Sequence, residues 1–333
     1  MRCAVLGGGS WGTALASQLA RQGHDTVLWD RNPERCAYIN THRENPRYLK
    51  GIRLPDRLLA VSELSEAVVA AELLVPVLPS HALRAVLKKA QPHLSPEVFV
   101  CCASKGIEED TLDTMWQVME QELGSLRMRR ATLLYGPSFA LEVATNKPTA
   151  VVIAGDKSAA DVAADAFHGG AFRTYHSEDV MGVCIGGSLK NVMAIACGVS
   201  DGVGLGANAR AALITRGLAE VTRLAVALGA NPLTMMGLAG MGDLVLTCTG
   251  NLSRNRRVGL ALGAGQSLEE ILEQLGEVAE GVRTTKSAHH LAQKVGVELP
   301  ITAEVHALLY EGKPAPLALQ DLLGRGRRAE LDG

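Results

Sequence analysis

Cys3-Ala4-Val5-Leu6-Gly7-Gly8-Gly9-Ser10-Trp11-Gly12-Thr13-Ala14-Leu15-Ala16 runs from a short apolar segment through glycines into helix-forming residues. It reads as strand, tight turn and helix. Gly7, Gly9 and Gly12 stand in G-x-G-x-x-G register, where glycine permits the turn, lets backbone N–H groups approach a pyrophosphate and lets helix pack on strand. Phosphates would sit at the N-terminus of that helix, drawn by unpaired N–H groups and the helix dipole. Glycines in this spacing also occur in purely structural turns. Here the run follows a strand and precedes a helical segment that stops at Gly23, which favours dinucleotide binding.

A second strand, Thr26 to Trp29, ends at Asp30-Arg31, where such a unit selects its ribose. An acid bonds the 2′-hydroxyl of NAD and an arginine accommodates the 2′-phosphate of NADP, so this pair leaves the nicotinamide open. Arg31 to Pro55 is polar and reads as loop, with Tyr48-Leu49 placed to fold over a cofactor. Strands are expected over 73–78, 98–103, 131–135, 149–154 and 172–175, with helices over 81–90 and 158–167. The alternation predicts an α/β Rossmann-type domain with a mostly parallel, doubly wound sheet. Lys105, in Ser104-Lys105-Gly106, falls just past the carboxyl end of a strand, where open sheets bind ligands. Gly136-Pro137-Ser138-Phe139-Ala140 is a turn into a helix N-terminus, where Ser138 either caps the helix or touches ligand.

The 333 residues exceed one comfortable core and predict two domains, 1–179 and 180–333. With 47% hydrophobic and 20% charged residues and a net charge of −2, the chain has no general field for nucleic acid or anionic membrane. The apolar run 67–78 is cut by Glu72 and Pro76, no stretch is expected to span a bilayer, and Met1-Arg2 leaves no room for a signal peptide. Seven scattered cysteines without C-x-x-C predict free, buried thiols in a reducing cytoplasm. The histidines show no H-E-x-x-H pattern, His289-His290 reads as a helix-surface pair, and no metal is expected.

From Val180 the strand signals cease and helices are expected over 180–196, 207–228, 254–262, 267–275, 283–295, 303–310 and 316–323, an all-helical second domain. Helix 207–228 is apolar enough to span that domain's core, with Arg216, Glu220 and Arg223 spaced to pair along it. Residues 200–206 read as a flexible turn without evident chemistry. Lys190 stands in an otherwise small, apolar helix, with Gly186, Gly187, Met193 and Ala194 at helical neighbour positions. Small neighbours allow a ligand to approach, and desolvation would lower the lysine pKa toward a value useful in proton transfer. Ser253 sits at an N-cap position before Arg254, Asn255, Arg256 and Arg257. Arginines in a first turn oppose the helix dipole, and an anion there removes the conflict.

Taken in order, 7–14, 104–106, 136–140, Lys190-Asn191, 207–210, 242–244 and 253–257 resemble the motifs of bacterial NAD(P)-dependent glycerol-3-phosphate dehydrogenases across nearly the whole chain. The resemblance implies NAD(P)H-dependent reduction of dihydroxyacetone phosphate to sn-glycerol 3-phosphate in a cleft between the domains, for phospholipid synthesis. It implies Lys190 as proton donor and acceptor, with Lys105, Gly136, Ser138, Asp243, Ser253, Arg254 and Asn255 at substrate. Its cofactor positions are Gly7, Gly9, Ser10, Trp11, Gly12, Arg31, Lys105, Ala140, Arg254, Val278 and Glu280. The expected partner is a small phosphorylated substrate, and the family's usual assembly is a homodimer. A 3-hydroxyacid or 6-phosphogluconate type of dehydrogenase and a non-catalytic nicotinamide-binding sensor are the alternatives. The basic end, Arg325-Gly326-Arg327-Arg328, reads as solvated.

Overall fold

The computed structural model describes residues 1–275, 279–326, 329 and 330. Two compact units form, one from Met1–Lys105 with Met115–Val180, the other from Gly106–Thr114 with the chain from Met181 onward. The short segment after Lys105, which a division at residue 179 leaves in the first half, thus packs with the helical half.

The first unit runs β1 (Arg2–Leu6), α1 (Ser10–Arg21), β2 (Asp25–Trp29), α2 (Pro33–His42), β3 (Leu58–Val61), α3 (Leu64–Val68), β4 (Leu73–Pro76), α4 (Ser80–Ala90), β5 (Phe99–Cys102), α5 (Met115–Met128), β6 (Ala131–Tyr135), α6 (Ala140–Ala144), β7 (Thr149–Gly155), α7 (Lys157–Phe167) and β8 (Phe172–Ser177). Its eight-stranded sheet has the order β3-β2-β1-β4-β5-β6-β7-β8. Neighbours are parallel except β6 and β7, which pair antiparallel with Leu133 opposite Ala154. Strand order reverses between β1 and β4, the switch point beyond whose carboxyl ends doubly wound sheets bind ligands. Cys3, Val5, Leu73 and Val75 on these strands pack with Leu15 and Leu19 of α1 in one buried cluster.

Four elements depart from expectation, the short α3 and three others. α2 stands inside the segment read as loop: Asn32 caps it by accepting from Arg35 N at 2.6 Å, and Pro33 opens it without wasting an N–H. β3 is a four-residue edge strand with Leu59 exposed, too short for periodicity to show. α5 fills a stretch for which no element was expected, burying Met115, Val118, Met119 and Leu123.

The second unit is helical: α8 (Val180–Val203), α9 (Gly206–Ala227), a π-helical turn Leu238–Gly242 leading into α10 (Asp243–Thr249), then α11 (Arg254–Gly263), α12 (Leu268–Leu275), α13 (Glu280–Val295), α14 (Pro300–Tyr310) and α15 (Ala315–Leu323). The core helix is α8, buried without a break from Gly182 to Ser200. α9, expected in that role, buries only Gly217, Glu220, Val221, Leu224 and Ala225. Nor do its charges pair along it. Arg216 donates to the Glu330 carbonyl and Arg223 to that of Glu298, while Glu220 turns inward to α14. α8 also corrects the bilayer expectation: it is long and apolar enough to cross a membrane, but most of it is buried inside the protein. All seven cysteines are buried and none forms a disulfide.

Candidate active site

The glycine turn is closed by backbone on two sides and open on the third. Gly7 has φ +125°, and a Cβ there would lie 2.4 Å from the Val77 carbonyl oxygen. A Cβ on Gly12 would lie 1.8 Å from the Gly7 oxygen, so helix and turn touch as the motif requires. Around Gly9 nothing lies within 4 Å of that position. Gly9 also precedes α1 with no side-chain cap and no acid in the first turn, so the turn and the N–H groups at Ser10 and Trp11 fit a pyrophosphate. A residue not anticipated from sequence braces this cradle: the buried Asn45 amide donates to Gly8 O at 3.0 Å and to Thr13 Oγ1 at 2.9 Å. Its only signal is an asparagine before a proline in polar sequence.

At the end of β2, Asp30 is 4% exposed, whereas Arg31 is exposed. The Asp30 carboxylate accepts from Asn32 N at 2.9 Å and from Arg35 Nη1 at 2.6 Å. Past β5, Lys105 Nζ lies 5.2 Å from the Tyr135 ring centroid, a cation–π contact. The ring is held by its buried hydroxyl, which donates to the Ser104 carbonyl. Gly136 follows at φ +140°, with Val151 Cα 3.0 Å from where a Cβ would stand. Ser138 does not cap α6. Its hydroxyl donates to Gly136 O at 2.9 Å, the N-cap is Phe139, and Ala140 is the first helical residue.

In the second unit Lys190 is buried at the middle of α8, and its Nζ donates to Asp243 Oδ1 at 2.5 Å. Asp243, fully buried, opens α10, and Thr247 one turn on donates to its carbonyl at 2.6 Å. The carboxylate opposes the desolvation of the ammonium, because a buried charge is tolerable only when paired. Cys248, also on α10, has its thiol pushed well above the ordinary range by a hydrogen bond with Cys197 and by burial, so it stays neutral within electrostatic reach of the pair.

Close backbone packing seats α8. A Cβ on Gly186 would stand 2.7 Å from Ala239 O, on Gly198 2.2 Å from Arg256 O, and on Gly259 2.1 Å from Ile195 O. Gly186 seats α8 on the π-helical turn, and Gly198 and Gly259 bring α8 and α11 to near contact, which no larger residue allows. At the start of α11, Ser253 Oγ accepts from Arg256 N at 3.2 Å, the expected N-cap. The crowding of arginines there is partly resolved within the protein. Asp201 takes Arg256 Nη2 at 2.7 Å and Arg210 Nη1 at 2.9 Å, so residue 201 is a clamp and not part of a featureless turn. The buried Asn255 amide donates to Asn191 Oδ1 at 2.9 Å and accepts from Gly281 N at 2.9 Å, tying α8, α11 and α13 together. Glu280 begins α13, whereas Val278 lies outside the described residues. Gly106 N donates to Ser188 Oγ at 3.1 Å, two residues before Lys190.

His289 and His290 are both half-buried on α13, and His289 stacks on His306 at 4.3 Å. Among the described residues no His, Cys, Asp and Glu group is arranged to hold a metal. Arg325 reaches Glu298 at 3.3 Å, and Arg327 and Arg328 lie outside the described residues.

Two family models match. Residues 2–161 fit the N-terminal and 179–320 the C-terminal part of the NAD-dependent glycerol-3-phosphate dehydrogenases. The chain is 52% identical over 335 residues to a glycerol-3-phosphate dehydrogenase [NAD(P)+] of Myxococcus xanthus, covering 100% of both chains. It is 51% identical over 331 residues to that of Nitratidesulfovibrio vulgaris, covering 99% of this chain and 100% of the relative. The crystal structure of glycerol-3-phosphate dehydrogenase from Coxiella burnetii superposes with a TM-score of 0.93 at 41% identity, over 97% of this chain and 99% of that one. With a glycine turn built for a pyrophosphate in one unit and a buried lysine–aspartate pair in the other, the chain belongs to the NAD-dependent glycerol-3-phosphate dehydrogenase family.

Proposed function

We propose that the chain catalyses the reversible NAD(P)H-dependent reduction of dihydroxyacetone phosphate to sn-glycerol 3-phosphate. The observation that carries this reading, beside family membership, is the 2.5 Å contact between Lys190 and Asp243, buried on apolar helix α8. A bound nicotinamide supplies the hydride for the C2 ketone. Gly7, Gly9, Ser10, Trp11 and Gly12 would hold its pyrophosphate, with Arg31, Ala140, Arg254 and Glu280 as further contacts.

As charge grows on the C2 oxygen, the Lys190 ammonium donates a hydrogen bond and then its proton; in oxidation the amine takes it back. Asp243 keeps the ammonium paired and aimed between turnovers. Lys105, its position fixed by the Tyr135 ring, supplies a second positive charge to the substrate. Ser253, Arg254 and Asn255, at the N-terminus of α11, take the phosphate. That group is remote from the reacting bond, so its binding energy serves to orient the ketone. Gly136 and Ser138 complete the substrate contacts. Family resemblance supports a cytoplasmic homodimer that feeds phospholipid synthesis, and light scattering tests the dimer.

Purified protein should consume reduced nicotinamide, read by absorbance, when given dihydroxyacetone phosphate. Arg254→Ala should raise the KM for that substrate at least about tenfold, the worth of one charged hydrogen bond. No turnover by the unmodified chain, or an unchanged KM in the variant, would contradict the assignment it addresses.

A further inference from the structure

The acid at the end of β2 sits where a carboxylate would select NAD, yet its oxygens are committed elsewhere. Asp30 Oδ1 accepts from Asn32 N at 2.9 Å and Oδ2 from Arg35 Nη1 at 2.6 Å. Oδ2 also lies 2.1 Å from where a Cβ on Gly8 would stand, so the carboxylate is pressed flat on the turn. The Arg35 guanidinium lies 5.4 Å from the Tyr48 ring centroid, and Arg47 lies 5.5 Å from the same ring. Arg31 beside them is exposed. Arg35 thus pairs with the carboxylate and shares the Tyr48 ring with Arg47, so guanidinium groups gather near the end of β2.

Resting on the cofactor reading above, we propose that Asp30 is a positioning residue that holds Arg35 for the 2′-phosphate of NADPH, instead of selecting NADH by its own ribose contact. A phosphate dianion gains from a fixed, planar donor and would be repelled by a free carboxylate. Neutralised by Arg35, the carboxylate no longer repels, and it orders the guanidinium it binds. The two roles predict opposite signs when Asp30 is changed. A selector, once removed, lets 2′-phosphate bind better; a tether, once removed, makes it bind worse.

The test is calorimetric titration of the full chain with adenosine 2′,5′-bisphosphate and with 5′-AMP, ligands that differ only in the 2′-phosphate. Arg35→Gln should weaken the bisphosphate about tenfold and leave AMP within about twofold. Asp30→Asn should weaken the bisphosphate selectively, and in an Arg35→Gln background should have no further effect on it, since a tether without its cargo does nothing. Tighter bisphosphate binding in Asp30→Asn, or an unchanged ratio in Arg35→Gln, would overturn the proposal. If Asp30→Asn does not fold, the Arg35→Gln ratio decides alone. Failure of the unmodified chain to bind either ligand would instead overturn the cofactor reading beneath it.

Discussion

α8 and α9 follow each other in sequence, 24 and 22 residues long, and the environment they meet is opposite. Both are rich in alanine, glycine and aliphatic residues. α8 is buried over nearly its whole length, because Gly186, Gly198 and Gly202 let neighbouring backbone approach to distances a side chain would block. α9 presents one such glycine, Gly217, and what it faces is the Met193 side chain. Exposed Ala211 and Ala212 lie on its other face. Hydropathy already ranks α8, apolar enough to cross a membrane, above α9, which carries Arg210, Arg216, Glu220 and Arg223. The spacing of glycine, which governs how near backbones come, separates them further.

The sharpest way to break this contrast is at the contact of α8 with α11. Gly259→Ala improves helix propensity yet places a Cβ 2.1 Å from the Ile195 oxygen. It should cost about 1–3 kcal/mol in denaturant unfolding. Unchanged or raised stability would show that the helices do not touch there.

A subtler probe is Glu220, one of the few buried residues of α9. Burial pushes its carboxyl up from 4.5 to about 7, against the backbone N–H groups of Ile301 and Thr302 that favour the charged form. A group raised in the folded state stabilises fully below its unfolded pKa and loses that contribution as pH rises through the folded one. Between about pH 4.5 and 7, thermal stability should therefore fall through this group, by at most a few kcal/mol, and Glu220→Gln should flatten the dependence. An equally steep profile in the variant would assign the slope to other groups. Smallest of all, Ala212→Lys on the exposed face should change stability by less than about 0.5 kcal/mol. A larger loss, read by the same unfolding curve, would mean that this face is covered.

The same physics explains what was readable in the sequence. The glycine turn, the strand alternation and the Ser253 cap are encoded locally, in neighbours a few residues apart, and the structure has them. Lys190 stood out because its helical neighbours are small and apolar, which is a local fact too. Its partner Asp243 is 53 residues away, and the 2.5 Å contact depends on how α8 meets α10. Asp201 looked idle for the same reason, since both arginines it binds belong to other helices. α2 was missed although Asn32-Pro33 is a start signal, because its polar composition masked a helix that buries only Cys36 and Ile39. Asp30 was read only as an acid at the ribose position, because nothing in a linear pattern shows which way a carboxylate turns. Family membership then separates the glycerol phosphate reading from the hydroxyacid alternative, which no single residue does.

The central claim is that Lys190 moves the proton, and Lys190→Arg addresses it most directly. Arginine keeps the charge opposite Asp243, so the fold is preserved, but a guanidinium does not exchange its proton near neutral pH. Steady-state turnover of dihydroxyacetone phosphate should fall by about 10²- to 10⁴-fold while calorimetric binding of reduced nicotinamide is retained. A kcat within about threefold of the unmodified chain, with cofactor binding intact, would contradict the account and move the acid to another residue.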